Sequence, residues 1–296
     1  MGMPTVDRAA APPRPDARPA APDLRAQPRD DILDRVERAL DVRLDRTALV
    51  RKRRSLGAAT DRGTWIRIEA RPLAKMAGQG FNGPEAAATL AGVAKPAWHA
   101  SLAWTETTTS LMWRADESDL VTDAPIKPGG ILTTDPRLPP TWWTALGSSL
   151  DALAQAHTTR VATLHTVLIS QNRVDEEIRD AFGPGLNTTI ERWVSAHADF
   201  AWANLTGPAL AILDWEDWGL APRGLDAAML WSASLAVPGL AEQVHALRQS
   251  DLDSRDGYLM QLLCLAAILR TPAGAHEPRL DAARAAADRL LPAMRP

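Results

Sequence analysis

The chain has 296 residues, 46% of them hydrophobic, and a formal net charge of −3 at pH 7. This length and composition suit one large domain or two modest ones, and the charge gives no basic field for nucleic acid. The single cysteine, Cys264, excludes an intrachain disulfide and a multi-cysteine zinc site, and it fits a reducing compartment. The most apolar run, Tyr258 to Leu269, is shorter than the ~20 residues that span a bilayer. We therefore expect a cytoplasmic protein without nucleic-acid or membrane partners.

The N-terminal segment changes character near residue 30. Residues 1–30 are rich in proline, alanine and arginine and lack the apolar core of a signal peptide, so they predict a disordered tail. The following stretch, DDILDRVERALDV, places Ile32, Leu33 and Val36 at helical spacing and predicts a helix.

The next part of the chain has the pattern of a small antiparallel sheet. Residues 47–71 contain two strand-like runs joined by GAATDR, which is typical of a hairpin. PEAAATLAGVA predicts a helix because Pro84 stands in its first turn, and WHASLAWTET and TSLMWRADE predict two more strands. We expect residues 31–120 to form a sheet lobe with one helix packed beside it.

The second part of the chain is predominantly helical. Helical periodicity predicts helices at 141–157, 172–182, 187–196, 226–249, 256–270 and 278–292. Only residues 200–214 break the pattern, where ALAILD predicts a short strand that ends at Asp214. The sequence thus predicts an α+β protein of two lobes, with residues 121–296 forming the larger helical lobe.

A polar constellation stands within the largely apolar segment HADFAWANLTGPALAILDWEDWG. Such groups are costly to bury unpaired, so they either hydrogen-bond internally in a capped loop or serve a ligand. Phosphoryl transfer needs a carboxylate to orient the attacking hydroxyl, for which Asp199 is the candidate. It also needs oxygen ligands for magnesium beside the phosphates, for which Asn204 and Asp214 are suitable.

These residues resemble the aminoglycoside phosphotransferase and choline kinase-like family of the protein-kinase-like fold. The matching motifs are His197-x-Asp199-x-x-x-x-Asn204, Leu213-Asp214-Trp215 and Pro222-x-x-x-Asp226. The resemblance implies a small-molecule kinase that uses ATP or GTP with Mg²⁺ and phosphorylates an alcohol group. It implies that Asp199 is the catalytic base, that Asn204 and Asp214 bind the metal, and that Asp226 supports the loop. We expect His197 to be structural and to orient the same loop.

The chain departs from the family at the strand lysine that grips the α/β-phosphates. Arg67, in the run Trp65-Ile66-Arg67-Ile68, stands in its place, and a guanidinium fork differs from the point charge of an ammonium. Glu85 either pairs with Arg67, as the family's Lys/Glu pair does, or is only a favourable acid at a helix N-terminus. The departure motivates a second hypothesis, a catalytically weak or inactive kinase-like module that binds nucleotide.

Two further groups of residues have candidate roles. Trp202 and Trp218 flank the polar residues and either line an acceptor pocket or belong to the core. Glu216 and Asp217 are candidate contacts for a cationic acceptor, or else solvated acids.

A glycine motif motivates a third hypothesis. Gly78-Gln-Gly80-Phe-Asn-Gly83 matches GxGxxG and indicates a dinucleotide-dependent oxidoreductase. The motif does not follow its strand directly, however, and Pro84 starts the helix after the third glycine, so we rank this hypothesis last.

Overall fold

The structure, a computed structural model, describes residues 23–26, 29–73, 79–164, 167–272 and 274–294. The first lobe comprises α1 (Asp30–Leu40), β1 (Val50–Arg51), β2 (Ser55–Ala59), β3 (Thr64–Pro72), α2 (Gly83–Ala87), β4 (Trp98–Glu106) and β5 (Leu111–Asp119). Its strands form one sheet in the order β1-β2-β3-β5-β4, and all neighbours are antiparallel. The predicted α+β class and the sheet lobe are confirmed.

Strand β3 separates the core of this lobe from its charged face. Ile66, Ile68 and Ala70 are buried in the core that α1 also contacts. Successive side chains of a strand point to opposite faces, so the residues between them, Arg67 and Glu69, point away from that core. This alternation positions the charged residues of the candidate site.

Backbone hydrogen bonds hold the turn between β1 and β2 from two directions. The Arg53 carbonyl accepts a hydrogen bond from the Leu24 N–H (3.0 Å), and the Arg54 carbonyl accepts one from the Ala70 N–H (3.2 Å). Leu24 is fully buried among the apolar residues of the lobe. The tail predicted for residues 1–30 is therefore wrong at Leu24, because this isolated apolar side chain finds a site in the core. Residues 1–22, 27 and 28 lie outside the described residues.

The second lobe is built from helices. They are α3 (Pro140–Gln155), α4 (Gln171–Phe182), α5 (Leu225–Ala233), α6 (Pro238–Leu247), α7 (Gln249–Leu252), α8 (Arg255–Leu269) and α9 (Leu280–Met294). Short strands are interspersed, namely β6 (Ala124–Pro125), β7 (Thr163–Leu164), β8 (Val167–Leu168), β9 (Trp193–Ala196), β10 (Thr206–Gly207) and β11 (Gly219–Pro222). Helix α8 lies at the centre and packs against α4, α5 and α9. No described helix combines the length and apolarity needed to cross a membrane.

Several predicted elements differ from the observed ones. The helix predicted for 187–196 is wrong, since β9 occupies its end and pairs with β11. Upstream of β9, the N–H groups of Glu191 and Arg192 donate to the Asp256 carboxylate (3.0 and 2.7 Å), which satisfies them without a helix. The helix predicted for 226–249 is divided into α5, α6 and α7, and α6 begins at Pro238, whose ring suits a first turn. The strand predicted at ALAILD is reduced to one bridge between Leu205 and Ile212.

The burial of Leu24 generates a stability prediction. Leu24→Ala should lower the free energy of unfolding by about 2–5 kcal/mol, because it removes a fully buried side chain and leaves a cavity. Urea unfolding of the full chain measures this change. Val50→Ala is the control, because Val50 is 47% exposed and its loss should change stability by about 0.5 kcal/mol or less. Equal midpoints for the two variants would show that Leu24 is not part of the core.

Candidate functional site

A cavity of about 410 Å³ lies between the two lobes. The second lobe contributes four acids to its lining, namely Asp199, Asp214, Glu216 and Asp217. The first lobe contributes Lys52, Arg53 and Arg54 from the turn between β1 and β2, Ser55 at the start of β2, and Arg67, Glu69, Ala70 and Arg71 of β3. Neighbouring strands of the first lobe and a distant part of the second lobe therefore meet around one space.

Asp226 holds the loop that carries Asp199. It lies in the first turn of α5, is buried, and accepts hydrogen bonds from the N–H groups of His197 (2.7 Å) and Ala198 (2.9 Å). Two donors on one carboxylate fix the backbone just before Asp199. Ala198 has a φ of 66°, a left-handed conformation that residues other than glycine rarely adopt, and its hydrogen bond to Asp226 helps to hold it there.

His197 connects the loop to the segment of Asp214. Its ring is fully buried, and Nε2 donates to the Leu213 carbonyl (2.8 Å), which can only accept. Nδ1 accepts a hydrogen bond from the Asp199 N–H (3.3 Å). Both ring nitrogens are thus used within the protein, which supports the structural role expected of His197.

Asn204 lies beside Asp199 with its amide oriented. Its Nδ2 donates to the Asp199 carbonyl and to Asp199 Oδ2, both at 2.8 Å, so that Oδ1 is the remaining acceptor of the amide. The Leu213 N–H donates to the Asn204 carbonyl (2.8 Å), which places Asp214 on the neighbouring stretch of backbone.

The oxygen donors of Asn204 and Asp214 fit a magnesium ion that shares its coordination with phosphates. Magnesium is commonly held by one or two protein ligands, with waters and substrate phosphates completing its octahedron. Within the described ranges, no group of three His, Cys, Asp or Glu side chains forms a metal site by itself. The chemistry of the two donors therefore suits a metal that arrives with a nucleotide.

An ion cluster joins the lobes across the cavity. Arg67 pairs with Glu69 and Asp214, each at 3.4 Å, and with Glu216. Arg71 pairs with Glu69 (2.9 Å) and Glu216 (2.5 Å). We name these five residues the interlobe ion cluster. The sequence analysis did not identify Glu69 and Arg71. The signal that could have found them is the alternation along β3, which places them on the same face of the strand as Arg67.

The predicted pair between Arg67 and Glu85 is wrong. Glu85 instead accepts a hydrogen bond from Arg114 (2.9 Å), which also pairs with Asp116. Arg114 lies on β5, directly opposite Glu69 of β3, and forms an ion pair with Glu85. Arg67 is held by its own three carboxylates.

Burial and pairing shift the pKa values of the cluster in opposite directions. Partial burial raises the pKa of Asp214, although its side chain is still 41% exposed. The positive charge of Arg67 partly offsets this rise. Burial would also raise the pKa of Glu216, but Arg67 and Arg71 hold it below its usual value. Burial raises the pKa of Asp226, which the N–H donors of His197 and Ala198 oppose. Arg67 thus helps to lower the pKa of Glu216 and only partly offsets the rise in the pKa of Asp214.

The tryptophans predicted as candidates for an acceptor pocket are core residues. Trp202 stacks on Trp142 at 6.0 Å and donates to Ser234 Oγ (3.1 Å), and Trp218 donates to the Gly83 carbonyl (2.9 Å). Both are almost fully buried and neither lines the cavity, so their assignment to an acceptor pocket is wrong. Glu216 and Asp217 do line the cavity, and Asp217 accepts a hydrogen bond from Thr163 Oγ1.

The glycine motif serves lobe packing. Gly78 lies outside the described residues, and a Cβ at Gly83 would stand 2.2 Å from the Trp215 carbonyl oxygen. Arg160 ties the same segment down by donating to Asn82 Oδ1, the Gln79 carbonyl and the Trp218 carbonyl. The dinucleotide hypothesis requires a parallel βαβ unit, whereas the sheet before this motif is antiparallel, so that hypothesis is wrong.

Comparison with known proteins finds similar structures, but no family model and no curated protein matches the sequence of the chain. Aminoglycoside phosphotransferase APH(4)-Ia superposes with a TM-score of 0.54 at 13% identity, over 89% of this chain and 98% of that one. A putative fructosamine-3-kinase from Thermobifida fusca gives 0.53 at 16% identity, over 88% and 99%. Amicoumacin kinase hAmiN, in complex with AMP-PNP, Ca²⁺ and Ami, gives 0.51 at 10% identity, over 90% and 94%. The chain has the two-lobed kinase-like fold of these proteins, which confirms the predicted fold.

The position of Asp226 generates a second prediction. Asp226→Asn replaces one acceptor oxygen by an NH₂ group that faces a backbone donor, so the free energy of unfolding should fall by about 1.5–3 kcal/mol. Denaturant unfolding measures this change. Asp281→Asn, at a side chain that is 98% exposed, is the matched control and should be close to neutral. If both variants unfold like the wild type, Asp226 does not hold the loop.

Proposed function

We propose that the protein is a small-molecule kinase that transfers the γ-phosphoryl group of ATP or GTP to a hydroxyl group of a small molecule. The observation that carries the proposal is the meeting of Asp199, Asp214 and Arg67 around one cavity between the lobes. The fold supports it, because structures with this fold include kinases of small molecules, among them one in complex with AMP-PNP.

In this proposal Asp199 receives the acceptor hydroxyl. Asn204 holds Oδ2 of Asp199, which leaves Oδ1 to orient the hydroxyl and take its proton as the phosphoryl group is transferred. The buried Asp226 and His197 keep the loop in place, so the carboxylate is positioned before the substrate arrives.

The metal ligands in this proposal are Asn204 Oδ1 and the Asp214 carboxylate. Bound Mg²⁺ would neutralise charge on the nucleotide phosphates. Arg67 would contact the α/β-phosphates from β3. Glu85 is bound to Arg114 instead, so we propose that it acts on this site only indirectly, through the packing of α2.

A second candidate function is a kinase-like module that binds nucleotide without turnover. The observation that favours it is the pairing of Arg67 with the proposed metal ligand Asp214 (3.4 Å) and with Glu216. A phosphate group has to displace these carboxylates before Arg67 serves as a lysine would.

The acceptor in the first candidate is a small molecule that reaches Asp199 through the same cavity, beside Asp217.

The first test is ligand stabilisation of the whole protein. ATP or GTP with magnesium, at a hundredfold excess over the dissociation constant, should stabilise the fold by about 2.7 kcal/mol, and Asp214→Ala should abolish the magnesium-dependent part. A thermal-shift titration with and without magnesium measures both effects, and Asp281→Asn serves as the control. The proposal fails if no nucleotide raises the Tm of the wild type or if a nicotinamide cofactor raises it instead.

The second test separates the two candidate functions at Arg67. Arg67→Ala should weaken nucleotide binding about ten- to a hundredfold, because a charge-assisted contact with phosphate is lost. Arg67→Lys should retain or raise phosphoryl transfer in a working kinase, since an ammonium suits a phosphate as a point charge. Binding titrations and phosphate transfer to a panel of hydroxyl compounds measure these effects. Turnover that stays at zero in both the wild type and Arg67→Lys, with nucleotide bound, supports the binding module. Unchanged binding by Arg67→Ala removes Arg67 from the site.

A further inference from the structure

A second cavity, of about 200 Å³, lies within the second lobe beside β9, the strand that leads to the loop of Asp199. Its walls come from the last turns of α3, from β9, from the first turn of α5 and from the junction of α6 and α7. Of the described residues, none lines both this cavity and the one between the lobes. We name it the rear cavity.

The acids of the rear cavity already have partners. Three arginines and three aspartates line it, namely Arg192, Arg223, Arg248, Asp151, Asp226 and Asp251. Arg248, whose side chain is only 9% exposed, pairs with Asp151 (2.7 Å) and with Asp251. Arg223 also pairs with Asp251 (2.9 Å), and Asp226 accepts the N–H groups of His197 and Ala198.

Arg192 presents the available charge of the rear cavity. Its N–H donates to the buried Asp256 (2.7 Å), and its carbonyl accepts a hydrogen bond from the Arg223 N–H (2.9 Å), so its backbone is fixed on both sides. Arg192 is exposed, and among the residues that the structure describes no oxygen accepts a hydrogen bond from its guanidinium. A guanidinium has five donors in a planar fork that matches the oxygens of a carboxylate or a phosphate.

Arg223 adds a second donor. It donates through Nε to Asp251 and through Nη2 to the Ser250 carbonyl, both at 2.9 Å, so in the described part of the chain its Nη1 remains available. A cationic ligand would have to take the aspartates away from their arginines, whereas an oxyanion uses donors that are not engaged. The charges of the rear cavity therefore favour an anion.

The volume of the rear cavity limits the size of that anion. Pockets for drug-sized molecules have volumes of about 300–1,000 Å³, so this cavity suits a smaller molecule. Its lining includes Ala196, which directly precedes His197, and Asp226, which holds the loop. An occupant therefore lies against the groups that position Asp199.

We propose that the rear cavity is a regulatory site that binds a small oxyanion, the carboxylate or phosphate group of a small molecule, through the guanidinium groups of Arg192 and Arg223. The bound anion stabilises the closed form of the site, so local opening of the loop that carries Asp199 becomes rarer. Binding at the rear cavity needs no nucleotide and does not rest on the proposed function.

The first measurement is anion binding by the full chain. Sodium malonate and sodium phosphate, which represent the two oxyanion classes, are titrated calorimetrically into the wild type, Arg192→Ala, Arg192→Lys and Arg179→Ala. Arg179 is the matched control, because it is an exposed arginine of the same lobe that does not line the rear cavity. Arg192→Ala should bind the preferred anion at least about tenfold more weakly, and Arg179→Ala should match the wild type. Arg192→Lys should fall between them, because it keeps the charge and loses the fork.

The second measurement is amide hydrogen exchange, with circular dichroism as a check on the fold of each variant. The preferred anion should slow exchange across residues 193–199 in the wild type and not in Arg192→Ala. The proposal is overturned if neither anion binds the wild type, if Arg192→Ala keeps the wild-type affinity, or if the bound anion leaves exchange in this segment unchanged. A preference for malonate assigns the site to carboxylates, and a preference for phosphate assigns it to phosphate groups.

These outcomes are separate from those of the proposed function. Nucleotide binding without any effect of Arg192→Ala on malonate or phosphate overturns the rear cavity as an anion site and leaves the kinase standing. Anion binding that depends on Arg192, in a protein that binds no nucleotide, supports the rear cavity and removes the kinase.

Discussion

The alternation of side chains along β3 is the constraint from which the site derives. One face of the strand supplies Ile66 and Ile68 to the core of the first lobe, so the other face must carry Arg67, Glu69 and Arg71 into the cavity. Charges of alternating sign on one face partly neutralise each other, and Glu216 from the second lobe contacts both arginines. Partly buried charges are costly without partners. The ion pairs of Glu216 with these arginines meet that need and join the two lobes at the cavity.

The acidic half of the site is set by a separate chain of contacts in the second lobe. Asp226 fixes the backbone at His197, His197 reaches the Leu213 carbonyl, and Leu213 in turn binds the Asn204 carbonyl. Asp199 and Asp214 are thereby linked to helix α5 through His197 and Asp226. The relative position of the two halves depends on the close approach of Gly83 to Trp215, because any side chain at residue 83 would separate them.

Local sequence patterns predicted those elements whose stabilising contacts lie close together in the chain. The periodicity of Ile32, Leu33 and Val36 correctly predicted α1, and the helical second lobe followed from a pattern of the same kind. The hairpin was correct only in its antiparallel pairing: the turn at residues 52–54 divides its first strand into β1 and β2, and β2 extends into the expected connection as far as Ala59. The spacing of Asp199 and Asn204 on one loop brought those two side chains into contact.

Distant contacts explain what the sequence did not predict. β9 replaced a helix because a carboxylate 64 residues away, Asp256, takes up the N–H of Arg192. The indole N–H of Trp218 donates to the carbonyl of Gly83, which lies 135 residues earlier. The burial of Trp218 therefore could not be predicted from the residues around it. The partners of Arg67 were equally inaccessible, since Glu216 comes from the other lobe.

The contacts of Arg67 suit an arginine at the position where the family resemblance would place a lysine. A guanidinium has five donors in a planar fork and bridges several carboxylates at once, whereas an ammonium is a compact point charge. Arg67 therefore holds Asp214 and Glu216 together, and the charge of Asp214 is partly neutralised within the protein. Under the proposed function, phosphate oxygens would have to take the place of the Asp214 carboxylate on Arg67 before Asp214 could hold a metal.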